Sequence, residues 1–219
     1  MPSPKTVRTI GCGFDRVAFI YDRIVNLVFG RSITDLQARW ISTLPEVDHL
    51  LIVGGGTGKI LENLIQQKKA KHYCYAEASN KMLKRSKHRL GGEGNVHFTN
   101  TWDMQQQYDA ILLPFVLDCY PEKEVEELIL QFETVLSEDG YIAILDFNHD
   151  PRFGFEVHPV KQGFISLLYA FFGALGATQT RKLPAIFFIL DNQGWKEQER
   201  LAHHQGWLVA NHWTKKAKA

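Results

Sequence analysis

Cysteine is scarce, with three in 219 residues, Cys12, Cys74 and Cys119. Their odd number and the lack of zinc-type spacing point to a reducing compartment, so a cytoplasmic location is expected and no metal site is. The uncharged apolar stretch GFISLLYAFFGALG, from Gly163 to Gly176, is shorter than the roughly 20 residues of a membrane helix, so no stable membrane insertion is expected. The start, Met1 to Lys5, has no apolar signal region. Net charge is only +1, and the densest cations, Lys81, Lys84, Arg85, Lys87 and Arg89, alternate around one short helix without interleaved aromatics. Such a cluster is a solvated helix face, and no nucleic-acid partner is expected. There is no internal repeat, and the length suits one α/β domain with an elaborated end.

Against this background one stretch stands out, His49-Leu50-Leu51-Ile52-Val53-Gly54-Gly55-Gly56-Thr57-Gly58-Lys59-Ile60-Leu61. An apolar strand pattern stops at three glycines, a fourth follows, and helical spacing resumes at Ile60, Leu61, Leu64 and Ile65. A strand, a glycine turn and a helix bare the backbone for a nucleotide. A P-loop is excluded, because the first glycine it needs falls on Val53 and the residue after Lys59 is Ile60, without a hydroxyl. The dinucleotide fingerprint places its third glycine at Lys59, which leaves a nicotinamide-dependent oxidoreductase poorly matched. The remaining pattern is G-x-G-x-G. By itself it is also compatible with a tight turn that binds nothing.

The segments that follow narrow the choice. A second strand, Lys71 to Glu77, ends in an acid, and Ser79 or Asn80 caps a helix carrying Met82 and Leu83. A third, Asn95 to Phe98, runs into Thr99-Asn100-Thr101-Trp102-Asp103. A fourth, Tyr108 to Leu113, runs into Pro114-Phe115-Val116-Leu117-Asp118-Cys119-Tyr120. An amphipathic helix with Val125, Leu128, Ile129, Phe132, Val135 and Leu136 on one face ends at Ser137 to Gly140, before a fifth strand, Tyr141 to Phe147.

In order and spacing, residues 49 to 147 resemble the class I S-adenosylmethionine-dependent methyltransferases. The amino-terminal Phe14-Asp15-Arg16-Val17-Ala18-Phe19-Ile20-Tyr21-Asp22 resembles the helical lid of the ubiquinone/menaquinone group of that family. The resemblance implies a Rossmann-like three-layer α/β sandwich, mostly parallel, with a late antiparallel strand and an amino-terminal helical lid. It divides the single domain into a cap (1–45), a cofactor-binding core (46–150) and a substrate-side elaboration with the last strand (151–219). It also implies S-adenosyl-L-methionine as cofactor. The loop Gly54, Gly55, Gly56, Thr57 and Gly58 would cradle its methionine part and Tyr21 would lie near that end. Glu77 would take the ribose hydroxyls. Ala78, Met82, Thr101, Trp102, Pro114 and Phe115 would complete the cofactor's surroundings, Trp102 either walling in the adenine or serving as a core tryptophan.

Two departures from the pattern matter. The family carries an acid two places before the first glycine, where this chain has Ile52. The family sheet also closes with an antiparallel hairpin, and only one late strand, Gly206 to Trp213, is evident. Ala185 to Leu190 reads equally as its partner or as a short buried helix. The apolar region after the fifth strand, with Phe187 and Phe188, favours a small hydrophobic acceptor or a homodimer contact. On the acceptor side, Asp118 and His149 are the candidate catalytic residues; Tyr120, Asp146 and His158 each have a plainer structural reading. The reading is methyl transfer to a small, hydrophobic acceptor. The alternative is a non-catalytic protein that keeps the fold and has weakened cofactor binding.

Overall fold

The computed structural model describes residue 15 and residues 32–148, 183–203 and 206–216. Tyr21 and the rest of the expected lid apart from Asp15, together with His149, His158 and the apolar stretch 163–176, lie outside the described residues.

A helix, α1 (Ser32–Thr43), leads into β1 (Val47–Val53). After the glycine loop come α2 (Lys59–Gln66), β2 (Ala70–Ala76), α3 (Asn80–Leu90) and β3 (Val96–Thr99). Residues 100–107 reach β4 (Tyr108–Pro114) without a helix. A single 3-10 turn (Leu117–Cys119) precedes α4 (Glu122–Val135) and β5 (Leu136–Phe147), and the chain closes with α5 (Ile186–Asn192), β6 (Trp195–His203) and β7 (Leu208–Lys215).

The seven strands form one sheet in the order β3-β2-β1-β4-β5-β7-β6. The neighbours from β3 to β5 run parallel, and β7 is antiparallel to both β5 and β6. The order reverses between β1 and β4, and ligands of open α/β sheets bind beyond the carboxyl ends of the strands at such a switch point. The glycine loop leaves the end of β1 there.

Alternation along the strands supplies both faces of the core. Leu50, Ile52, Tyr73, Tyr75, Leu112, Ala143 and Leu145 pack against α1, α2 and α3 through Trp40, Ile41, Leu61, Leu64 and Leu83. Leu51, Ile111, Leu113, Ile142, Ile144 and Val209 pack against α4 and α5 through Val125, Ile129, Phe132, Ile186 and Leu190. The result is the expected three-layer sandwich. Lys69 reaches under α1 and donates to the carbonyls of Ser42 (3.2 Å) and Leu44 (2.7 Å), so a cation meets the negative end of that helix.

The structure moves the start of one strand and decides one choice that the sequence left open. The fifth strand starts at Leu136, immediately after α4, and an irregular register between Tyr108 and Ala110 absorbs the extra residues. The run 185–190 is helical in all but its first residue, and the second strand of the closing hairpin is β6.

Phe132 is fully buried, its ring centroid 5.1 Å from that of Trp102. Phe132→Ala should cost about 3–5 kcal/mol, read as a fall in urea midpoint at unchanged slope.

Candidate functional site

The loop between β1 and α2 is built around glycines with left-handed φ at 54, 56 and 58 (70°, 66° and 89°). Two positions show why side chains are excluded. A Cβ on Gly55 would lie 2.3 Å from the Tyr75 ring. A Cβ on Gly54 would lie 2.5 Å from Val116, at the end of β4. The loop is thus pressed between β2 and the β4 end. At Gly56, by contrast, the nearest atom to a built Cβ is the Met82 sulfur at 3.9 Å. This stretch of bare backbone leaves room for a ligand to approach, as a nucleotide cradle requires.

Side chains from the neighbouring strand and helix fix the loop's peptides. The Gly56 N–H donates to Glu77 Oε2 at 2.8 Å. The Tyr75 hydroxyl donates to the Gly56 carbonyl at 2.9 Å, and Arg89 Nε donates to the Thr57 carbonyl at 3.1 Å. The Gly54 N–H donates to the Ala76 carbonyl at 2.8 Å, so the loop is also tied to the end of β2 by backbone.

Glu77 follows β2 directly and is buried. Its second oxygen, Oε1, accepts from the Ser79 N–H at 2.8 Å. Asn100 Nδ2 donates to the Glu77 carbonyl at 3.0 Å, which brings Thr101 and Trp102 alongside. Burial pushes the carboxyl up to about 7, against the pull of the Ser79 and Gly56 amides, and the charge of Asp15 adds to the rise. Each oxygen with one amide donor retains a lone pair, so the group can still accept two hydroxyls.

Ser79 caps α3, accepting from the Met82 N–H at 3.2 Å, as its place in the sequence suggests. Its hydroxyl donates to Asp15 at 2.5 Å, and the same carboxylate accepts from the Lys81 N–H at 3.0 Å. The aspartate of the expected lid therefore rests on the amino terminus of the helix that follows Glu77.

On the other side of the switch point, Phe115 takes a left-handed φ of 54° just after Pro114. Its amide donates to the Leu145 carbonyl at 2.7 Å and its ring lies 5.4 Å from that of Phe147. A non-glycine residue held there is strained, a condition that clusters at functional sites. Asp146, fully buried at the end of β5, accepts from the amides of Phe147 (2.8 Å) and Asp118 (3.3 Å). Burial, with the Asp118 charge beside it, holds Asp146 well above the usual carboxylate range. Asp118 is itself buried and lies 3.4 Å from the Cys119 sulfur. Two carboxyls and a thiol therefore crowd the mouth between β4 and β5, next to the glycine loop. Trp102 is buried against Phe132, and Phe187 belongs to the core, stacked 6.2 Å from Trp213.

The opposite edge of the sheet carries a cavity of about 300 Å³ lined by His49, His72 and His97. His49 and His72 stack face to face at 5.1 Å, so their in-plane lone pairs run side by side rather than converging on an ion. Among the described residues no group of three or more histidine, cysteine or acidic side chains could hold a metal, and no helix is long and apolar enough to cross a membrane.

Two residues that organise the loop, Tyr75 and Arg89, were not candidates from sequence. No motif marks either residue; Tyr75 comes to lie beneath the glycines through its pairing with Ile52 across the β1–β2 ladder, which the structure shows.

Residues 51–142 match the family model of a methyltransferase domain. Solved structures of similar fold include DhpI in a SAM–HEP complex (16% identity, TM-score 0.67, covering 97% of this chain and 99% of that one). The N-methyltransferase NodS from Bradyrhizobium japonicum WM9, in complex with S-adenosyl-L-homocysteine, is 14% identical with a TM-score of 0.64, covering 94% of this chain and 97% of that one. The mitomycin 7-O-methyltransferase MmcR is 14% identical with a TM-score of 0.64; the match covers 93% of this chain and 60% of that one. No curated protein matches the sequence.

Glu77 generates a stability prediction. Its carboxyl is raised from 4.5 to about 7 in the folded chain, so the fold is relieved of a buried charge at low pH and carries it as pH rises through 7. Stability should therefore fall by about 3 kcal/mol between pH 4.5 and 8 from this group. Urea titrations of wild type and Glu77→Gln across that range should show the variant gaining relative to wild type as pH rises.

Proposed function

We propose that the protein transfers a methyl group from S-adenosylmethionine to a small, hydrophobic acceptor. The observation that carries this reading is the buried Glu77 carboxylate bonded to the glycine loop at the sheet's switch point, within the stretch that matches a methyltransferase domain. The fit is chemical as well as spatial. Bare backbone at Gly56 and left-handed peptides on either side suit the methionine part. A carboxylate with spare lone pairs suits the ribose diol.

When bound, the cofactor supplies a sulfonium methyl for in-line displacement. The chain's part is alignment, which can supply several kcal/mol of such a barrier. Gly54, Gly55, Gly56, Thr57 and Gly58 would hold the methionine end, to which Tyr21 is also assigned. Glu77 takes the ribose. Ala78, Met82, Thr101 and Trp102 border the adenine, and Pro114 and Phe115 border the sulfur. Asp118 and His149 are assigned to the acceptor side. Asp118 is suited to orienting an acceptor hydroxyl or amine, since its carboxyl lies at the crowded mouth beside Asp146. The uncharged, apolar composition of residues 163–176 suits a hydrophobic acceptor.

The non-catalytic alternative rested on Ile52 and on Trp102, which stands where the family usually has an acid, and it is not favoured. Ile52 is fully buried among Leu61, Leu64 and Leu112, and the loop above it is held by other groups.

S-Adenosylhomocysteine should bind in isothermal titration calorimetry. Its affinity should rise about tenfold from pH 6 to pH 8, because the ribose needs Glu77 ionised and that group sits at about 7 in the free protein. Glu77→Gln should bind more weakly and lose the pH dependence. No binding at millimolar ligand would end the reading.

A further inference from the structure

We propose that the Tyr75 hydroxyl is the positioning group that holds the glycine loop in its cofactor-binding shape. In this chain it replaces the carboxylate that the resembling family carries two residues before the first glycine. The proposal rests on the methyl-transfer reading and assigns a residue to it that no motif contains.

The case starts from Ile52. It occupies the acid's place, is fully buried, and offers no polar atom to the loop. Its partner across the parallel ladder is Tyr75. Strand alternation points both side chains to the same face of the sheet, toward α2 and α3. Tyr75 is longer by a ring and a hydroxyl. Its ring passes under Gly55, where any Cβ would collide with it at 2.3 Å, and its hydroxyl emerges at the Gly56 carbonyl, 2.9 Å away. That bond is the link from the phenol to the loop backbone. One side chain thus meets two consecutive residues of the loop, Gly55 through its ring and Gly56 through its hydroxyl.

The arrangement is specific. The Gly56 N–H is claimed by Glu77 and the Gly56 C=O by Tyr75, so the peptides on both sides of the residue most open to a ligand have fixed directions. Burial pushes the phenol well above its ordinary range, so it is a neutral donor at neutral pH. A carboxylate in the same apolar layer would face a desolvation cost that the phenol avoids. The tyrosine also explains the glycine at 55, since a Cβ there would meet the ring beneath it.

Loop pre-organisation should affect the part of the ligand that lies on the loop and leave the rest alone. Two probes separate these parts. S-Adenosylhomocysteine carries the amino-acid arm, whereas 5′-methylthioadenosine has the same nucleoside and sulfur without that arm. In Tyr75→Phe, the dissociation constant for S-adenosylhomocysteine should rise about tenfold, the equivalent of one lost hydrogen bond. That for 5′-methylthioadenosine should stay within about twofold, and the melting temperature should fall by less than about 6 °C. Placing 4-aminophenylalanine at Tyr75 keeps a ring donor and should restore most of the lost affinity. Equal weakening of both ligands, no weakening of either, or a larger loss of melting temperature that the aniline does not rescue would overturn the proposal. If wild type binds 5′-methylthioadenosine and S-adenosylhomocysteine equally well, the loop does not hold the arm and the proposal falls while a nucleoside site remains. If wild type binds neither, the cofactor reading itself falls and takes the proposal with it.

Discussion

The bond from the Gly56 N–H to the Glu77 carboxylate joins two chain reversals that are distant in sequence, the turn after β1 and the turn after β2. Both turns exist because parallel strands end together at one edge of the sheet, and the strand order reverses beside them. The same carboxylate accepts the Ser79 amide at the start of α3, so loop, strand end and helix are fixed by one group. The Tyr75 bond to the Gly56 carbonyl and the Arg89 bond to the Thr57 carbonyl depend on that geometry. Without the carboxylate, the Gly56 amide would lose its partner, and the loop would be held by the Tyr75, Arg89 and Ala76 bonds alone.

The site costs the fold some stability. Glu77 is an acid in a dry environment, Asp146 is another, and Phe115 holds a backbone conformation that non-glycine residues avoid. These three features lie around one end of β1, β2, β4 and β5, whereas the opposite end has ordinary exposed ion pairs such as Lys71 with Asp48. The two apolar layers offset the cost. Leu51, Ile111 and Ile142 on one face and Ile52, Leu112 and Ala143 on the other are all fully buried.

The parallel half of the sheet was legible because β1, β2, β4 and β5 are apolar runs ending at glycine, acid or proline, and those runs are the strands. The cap at Ser79 was legible for the same local reason. What escaped depends on neighbours. The strand β6 reads WKEQERLAH, which is polar on both faces because it is the sheet's edge, and its charges guard that edge. The six residues 185–190 carry no period, so only their packing against α4 makes most of them helical. Tyr75 looked like one more aromatic strand residue. Its part in the site is set by the register that pairs it with Ile52, and register cannot be read from either strand alone. Conversely, Ile52 looked like a missing functional group because the motif counts positions and takes no account of what stands across the ladder.

The most direct measurement is a crystal structure of the chain soaked with S-adenosylhomocysteine. The account predicts the ribose hydroxyls on the Glu77 carboxylate and the amino-acid arm along Gly54 to Gly58, with the Tyr75 bond to Gly56 intact. Ligand density elsewhere on the molecule, or a loop that takes up the ligand only after breaking from Glu77 and Tyr75, would contradict it.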